Sequence, residues 1–584
     1  MATIRRSPFL VVLSFGVGAL AVLLARGLTF GPLHTDMEVS LVWIKAYGIK
    51  GYIERYMDFN QRHVLAGPRN AIANWLFGGH MLPYHLIFQA SRILEGALMA
   101  EIVHQLTRRR LLAVSVGLAL MWTPIRMAAL YQSVAWGIET TLVLLLASTY
   151  FYLLSLQSEP PRLRWSLYTL TVVCYAVSVL SYESGIPWVG VNVLAGWFLL
   201  HEIPWRQRAR RLGLEALPFV LIGAGLTFMV VFVFKPWDDL VPTNTNSLPL
   251  RVLEQMSTGL TFPQLYMEQL RIAVHDGYVL WMVLGTLLIC GFIWVVARRL
   301  PASSDDTERT FPRDFARLIV LAVWMLFCSV LIGGSNPNVR YSYLDRITFG
   351  RVIGITLLYV TLIFGVVFML RQLSGVVRTR WQPVAMLVTG LVLIGPGFGW
   401  LLVYQDEAQA AYDEVDHITN AVLGVRCLFY RPLHVVIVTE PDWVVSRFPD
   451  TSDLIIRQAQ IKITDSLGDA TIDILKTGNE GYEDDYIPPP GTCDLDFPSG
   501  MCLEDNGIRP GRWTSVPFVP NEDVVIVRYA NDGTMTLLPQ IDVANLGGYN
   551  IATANPTVLK TSEQRLALPF DQMPVPLSGH CPGQ

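Results

Sequence analysis

Charge is what this sequence has least of. Only 16% of its 584 residues are Asp, Glu, Lys or Arg, while 52% are hydrophobic and the mean hydropathy is +0.41. A soluble chain of this length carries nearer a quarter charged residues, so most of this one is not built to face water. The 44 basic and 47 acidic residues nearly cancel, leaving a net charge of −3, which excludes the basic surface of a nucleic-acid partner. No CxxC spacing accompanies the seven cysteines, which disfavours zinc. An N-x-Ser/Thr acceptor sequence is missing, as are fixed-period repeats and low-complexity tracts; the missing acceptor sequence hints at a bacterial source. The first apolar run has no small-residue cleavage site, so it reads as an anchor rather than a cleaved signal.

What is present is segmented apolarity. Runs of bilayer-spanning length recur up to about Tyr404. Eleven spans are expected: Pro8–Phe30, Pro83–Leu106, Leu111–Met127, Ser133–Leu154, Ser166–Ser181, Ile186–His201, Leu214–Phe234, Tyr278–Val296, Leu318–Gly333, Val352–Leu370 and Pro383–Tyr404. Alternate connections hold the arginine clusters: Arg5/Arg6, Arg108–Arg110, Arg162/Arg164, Arg206–Arg211, Arg298/Arg299 with Arg309/Arg313, and Arg371/Arg378/Arg380. By the bias of basic residues to the inner side, the N-terminus is expected in the cytoplasm and the C-terminus outside the plasma membrane.

Residues 1–404 therefore read as a helical membrane domain and 405–584 as an extracytoplasmic one. In the latter, HVVIVTEPDWVV (His434–Val445), DATIDIL (Asp469–Leu475) and DVVIVRYANDGTMTLL (Asp523–Leu538) are β-branched runs broken by turn signals such as Asn531-Asp532-Gly533. They predict a strand-rich α+β domain. Cys427, Cys493, Cys502 and Cys581 all fall in it, which suggests two disulfides with three possible pairings. Cys174, Cys290 and Cys328 lie in spans and read as small apolar residues. Two outer loops, roughly Gly31–Leu82 and Lys235–Gly277, are long and mix apolar with charged residues at helical spacing, as interfacial amphipathic helices do.

Several constellations can carry chemistry. PLHTDMEVSLVW (Pro32–Trp43) presents Asp36 and Glu38 directly after the first span. A carboxylate partly desolvated at headgroup level gains basicity, and the pair is a possible site for a divalent cation; a solvated loop is the plainer reading. SVLSYESGIPW (Ser178–Trp188) sets Glu183 in a tight outer hairpin, where it serves either chemistry or the N-terminus of the next helix. GGSNPNVRYSYLDRITFGRV (Gly333–Val352) places Arg340, Arg346 and Arg351 among Tyr341 and Tyr343. Guanidinium forks suit phosphate oxygens and aromatics suit the bilayer interface, so the loop either holds a lipid-linked phosphate or simply anchors there. Arg126 and Glu139 are expected at the outer surface. Arg92 and Glu95, three residues apart in the second span, are spaced to neutralise each other.

The order of these elements resembles the GT-C superfamily of polytopic membrane glycosyltransferases, in a mannosyltransferase-like form. The resemblance rests on the first span with its outer acidic motif, then on Pro68, Phe77-Gly78 and Tyr84-His85 within RHVLAGPRNAIANWLFGGHMLPYHLIFQASRILEGALMAEIVHQL (Arg62–Leu106). LALMWTPIRMAALYQSVAWGIETTLVLLLAS (Leu118–Ser148) looks like that superfamily's third and fourth spans. LSYESGIPW resembles its Ser-Lys-Glu stretch, with Tyr182 where relatives have lysine, and VRYSYLDRITFGRVIG (Val339–Gly354) resembles its late Arg-Tyr loop. The resemblance implies transfer of a sugar from a polyprenyl-phosphate donor, usually with inversion, on the outer side of the cell envelope membrane. It implies Asp36 as general base, Glu38 and Glu183 as orienting carboxylates, and Arg126, Arg340 and Arg346 around the leaving phosphate, with Tyr341, Arg351 and His85 also in substrate binding. No redox cofactor follows and a divalent cation is optional. Two other classes fit parts of the sequence: a transporter or flippase for lipid-linked material, and a non-catalytic anchor displaying the C-terminal domain.

Overall fold

The computed structural model describes residues 7–25, 48–54, 65–78, 82–122, 135–229, 277–299, 309–333, 349–371 and 375–403, isolated positions between and after them, and the strands of the C-terminal part. By internal contacts the chain divides into two units. The first comprises Met1–Thr29, Ile53–Ala73 and His80–Asp406; the second comprises Phe30–Tyr52, Asn74–Gly79 and Glu407–Gln584.

Proline and glycine punctuate the helices. α1 is Pro8–Ala25 and α2 is Ala66–Phe77. Gly78 closes α2 at φ +55, its N–H donating to the Asn74 carbonyl at 2.8 Å, a left-handed ending that a side chain resists. α3 runs for 26 residues from Leu82 to Thr107, with Pro83 in the first turn where its missing N–H costs nothing. A turn at Arg108 reverses the chain into α4, Arg110–Met121. α5 (Ala135–Gln157) and α6 (Pro161–Ser181) follow, α6 opening on its own proline. A 3₁₀ segment, Glu183–Trp188, leads into α7 (Val189–Leu199), and α8 is Trp205–Phe228. α9 (Val279–Arg299), α10 (Phe311–Gly333), α11 (Phe349–Leu370) and α12 (Gly375–Thr389) complete the set. α12 passes through a π turn at Gly390–Ile394 and stays helical to Val403.

Helix thus occupies each of the eleven apolar segments. Among the described residues seven helices are long and apolar enough to cross a bilayer, within α1, α5, α6, α8, α9, α11 and the α12 run. Two shorter apolar helices, Arg110–Met121 and Gly185–Leu199, accompany them. The chain is a polytopic α-helical membrane protein.

α3 is the hub of the first unit, packing on α1, α4 and α5, while α5 packs on α6, and α10 on α11. Small residues let the backbones meet. A Cβ on Gly96 of α3 would stand 2.6 Å from the Gly117 carbonyl oxygen of α4, and one on Gly117 would stand 2.5 Å from that of Gly96. Without a hydrophobic drive between helices in lipid, such close packing is what holds them together. By contrast only 22% of the spanning windows of α6 and α8 is buried, so these two offer most of their surface to lipid.

In the second unit the described strands form three sheets. The largest has the order β2-β1-β6-β7, with β1 (His434–Thr439) parallel to β2 (Thr471–Lys476) and β6 (Val524–Tyr529), and β7 (Met535–Leu538) antiparallel at the edge. Val435, Val436 and Val524–Val527 are buried, the continuous apolar pattern of strands covered on both faces. β3 (Met501–Glu504), β4 (Gly507–Arg509), β5 (Val519–Pro520) and β9 (Ile551–Thr553) make a second sheet, and β8 (Gln540–Asp542) pairs with β10 (Val558–Lys560). Cys427, Cys493 and Cys581 lie outside the described residues, as does the side chain of Cys502, so the expected disulfides do too. The described cysteine side chains, Cys174, Cys290 and Cys328, are free thiols.

Candidate functional site

A row of polar side chains runs along the inward face of α3. At 3.6 residues per turn His85, Gln89, Arg92 and Glu95 fall on one side of the helix. They are 6%, 8%, 1% and 0% exposed, the last two among the most deeply buried side chains of the chain. The Arg92 guanidinium lies 6.0 Å from the centroid of the Phe88 ring, one turn before it. α5, which packs against α3, adds Glu139 and Thr141, at 0% and 2% exposure. Glu139, expected on the outer side of the membrane, is enclosed within the protein. Its position near the start of α5 points it into the packed helices, because the lipid-facing alternative would strand a carboxylate in hydrocarbon. Ionisable groups at this depth are costly, and in membrane proteins they mark pathways and substrate sites far more than stability.

The turn carrying Glu183 is fixed from several sides. The Leu65 amide donates to the Leu180 carbonyl at 3.0 Å, tying the residue before α2 to the end of α6. The Tyr175 hydroxyl donates to the Ile186 carbonyl at 2.7 Å and the Cys328 thiol to that of Pro187 at 3.2 Å. The Trp188 indole donates to Thr149 Oγ1 at 3.0 Å. Thr149 in turn donates to Asn192 Oδ1 at 2.6 Å, and the Asn192 amide donates to Ser148 at 3.0 Å. This polar network spans α5, the 3₁₀ segment and α7, and makes the ESGIPW turn a fixed platform.

Of the residues proposed from the sequence, Asp36, Glu38, Arg126, Arg340, Tyr341 and Arg346 lie outside the described residues. Glu183 is described in its backbone, as the first residue of the 3₁₀ segment. His85 and Arg351 are described in full: both are buried, His85 in the first turn of α3 and Arg351, 3% exposed, in the first turn of α11. Among the described residues no three His, Cys, Asp or Glu side chains gather as metal ligands. Sequence reasoning missed Gln89, whose place four residues after His85 and three before Arg92 was the available signal. It also missed the Thr149–Asn192–Trp188 network, for which single polar residues in apolar helices give almost none.

No family model and no curated protein matches the chain. Among solved structures it is similar to ArnT from Cupriavidus metallidurans. The apo state gives 12% identity and a TM-score of 0.35, covering 80% of this chain and 86% of that one. The state bound to undecaprenyl phosphate gives 14% identity and a TM-score of 0.34 over the same shares. It is also similar to the archaeal oligosaccharyltransferase AglB from Archaeoglobus fulgidus, in complex with an inhibitory peptide and a dolichol-phosphate. There the identity is 11% and the TM-score 0.34, over 77% of this chain and 63% of that one. Likeness at this level carries no assignment of activity or of site residues.

Proposed function

We propose that this protein is a membrane glycosyltransferase that moves a sugar from a polyprenyl-phosphate donor to an acceptor hydroxyl on the extracytoplasmic side. The observation that carries the reading is the buried ionisable face of α3, which starts at His85, within the Tyr84-His85 pair that the resemblance to GT-C enzymes singles out. The Leu65–Leu180 hydrogen bond supports it further, since it fixes the start of α2 beside the turn that begins with Glu183.

In this reading Asp36 takes the proton of the acceptor hydroxyl as its oxygen attacks the anomeric carbon. The new sugar–oxygen bond forms while the bond to the phosphate oxygen breaks, and the phosphate departs with the electron pair. Arg340, Arg346 and Arg126 neutralise that growing charge, the kind of preorganised electrostatics that dominates such barriers. Glu38 and Glu183 orient the acceptor, and Tyr341, Arg351 and His85 hold the donor. Asp36 and Glu38 are also the carboxylates that would hold a divalent cation. Incubating the purified full chain with polyprenyl-phosphate sugars tests the reading. Asp36→Asn is expected to lower transfer by roughly 10²–10⁴-fold, the usual share of a general base, with expression and melting unchanged. Undiminished transfer by that variant would remove Asp36 from the mechanism.

A flippase for lipid-linked material is the second reading, and the same buried row favours it, because ionisable residues inside a membrane protein also line translocation paths. Proteoliposomes that move a lipid-linked sugar between leaflets without any change in its glycosidic bond would decide for it.

A further inference from the structure

Six arginines stand at the N-terminal ends of α6 and α8, and three of them are engaged within the protein. Arg164 and Arg211 donate to Glu215 Oε1 at 2.8 and 3.2 Å, and Arg208 donates to the carbonyls of Trp197, His201 and Ile203. The Tyr168 hydroxyl donates to the Glu215 backbone carbonyl at 2.6 Å, which ties α6 to α8 beyond the first turns of both. Three arginines remain on the outside: Arg162, Arg206 and Arg210. Among the described residues no carboxylate lies within ion-pair distance of any of them.

Their placement along the helices is specific. Arg206 and Arg210 are one turn apart and head a stripe that continues as Leu214, Leu217 and Leu221, which are 64%, 52% and 62% exposed. The opposite face of α8, through Leu212, Phe219 and Leu226, is the buried one. α6 has a similar stripe, Arg162 heading Leu170 and Val173, both about half exposed, on the side away from Arg164 and Tyr168 and therefore away from α8. Trp165 and Trp205 stand at the same two ends, 66% and 65% exposed, where indole rings settle at the headgroup level of a bilayer.

We infer that the N-terminal end of α8 forms a binding site for an anionic phospholipid, whose phosphate lies on Arg206 and Arg210 while its acyl chains cover the leucine stripe below. A cation pair at the top of a lipid-exposed apolar stripe has the polarity profile of one phospholipid molecule, head over tail. Guanidinium groups suit phosphate better than ammonium groups do, since the fork donates to two oxygens. The nearby Glu159 and Glu202 are exposed and leave the edge net positive. A soluble phosphate would use the arginines but gain nothing from the leucines, so the observations favour the lipid.

The test compares the full chain, reconstituted in phosphatidylcholine, with the variant Arg206→Gln/Arg210→Gln. Spin-labelled phosphatidylglycerol and phosphatidylcholine report the fraction of lipid immobilised at the protein surface. The wild type is expected to prefer phosphatidylglycerol, and the preference to fall by roughly fivefold per arginine removed at low salt. Melting in pure phosphatidylcholine is expected to be unchanged, because both side chains are exposed. An undiminished preference in the double variant would overturn the inference. So would millimolar inorganic phosphate protecting the detergent-solubilised protein as well as phosphatidylglycerol does, since that would show an anion site indifferent to acyl chains.

Discussion

Helices α3 and α8 are close in length, at 26 and 24 residues, and hold arginine in opposite ways. In α3, Arg92 is 1% exposed and shares its face with Glu95, Gln89 and His85. In α8, Arg206 and Arg210 stand outside, above leucines that face lipid. Both settings are stable for a charge near a bilayer: enclosed among polar groups, or lifted to the headgroups. Two ion-pair sites repeat the contrast. Arg109 Nε meets Asp314 Oδ2 at 3.0 Å with side-chain exposures of 0% and 4%, and Thr310 completes the cluster. Glu215 meets Arg164 and Arg211 with those arginines 43% and 29% exposed. The lesson is that residue type says little here, and enclosure decides what a charge is worth.

The sharpest way to break this comparison is Arg109→Met. It strands Asp314 in a sealed site, and removing one member of a buried pair costs about 3–5 kcal/mol. The Phe311 ring, 4.9 Å from the guanidinium, loses its cation as well. Unfolding of the purified protein in mild detergent is expected to show the loss, and Arg109→Met/Asp314→Leu to recover most of it. Equal stability of the single and double variants would show that Asp314 finds water, and so that the site is not sealed.

Backbone packing supplies the next effect. Gly96→Ala in α3 sets a methyl group 2.6 Å from the Gly117 carbonyl oxygen, so the two helices must part. Overpacking of this kind costs about 1–3 kcal/mol. In α8, Gly213 has nothing within 4 Å of its Cβ position, and Gly213→Ala is expected to be neutral or stabilising by roughly 0.5–1 kcal/mol. Equal effects at the two glycines would mean that α3 and α4 do not pack as closely as their backbones indicate.

These cases show what sequence could and could not reveal. The apolar runs located the helices, because hydrocarbon admits hardly any other backbone, but α6, α8, α10 and α12 begin five to nine residues earlier, in arginine-bearing turns that an apolar run does not include. Leu111–Met127 was read as a span, whereas its described helix, Arg110–Met121, has a length that suits a buried helix as well as a span. Spacing alone put Arg92 and Glu95 on one face but did not give its depth, because a face is polar in sequence whether it meets water, headgroups or other helices. The enclosure of Glu139 was not legible for the same reason. The Arg109–Asp314 contact bridges 205 positions, and no local pattern reports a partner so distant. The candidate catalytic residues came from motif order rather than from geometry, and it is chemistry in solution that will decide them.

The network under the ESGIPW turn occupies the middle of the scale. Asn192, 1% exposed, accepts from Thr149 and donates to Ser148. Asn192→Leu removes both bonds, yet Thr149 keeps its bond to the Leu145 carbonyl at 3.2 Å. Interhelical hydrogen bonds in membranes average about 0.6 kcal/mol and reach roughly 1.7. A loss within that range is expected on unfolding, and a loss as large as that of Arg109→Met would place neutral and charged networks on one footing.

The smallest effect falls on the open side of the comparison. Glu215→Gln keeps an acceptor for Tyr152, whose hydroxyl donates to Oε2 at 3.0 Å, and leaves the backbone bond from Tyr168 untouched. What it removes is attraction to two arginines that water already reaches, and exposed pairs are worth about 0–1 kcal/mol. Stability is therefore expected to change by less than that, and the change to vanish in high salt. Lipid selectivity is expected to move the other way. With the carboxylate gone, the charges of Arg164 and Arg211 are no longer offset near Arg206 and Arg210, so the preference for phosphatidylglycerol should rise above that of the wild type. A variant that loses selectivity instead would show that Glu215 positions the helix ends rather than merely offsetting their charge.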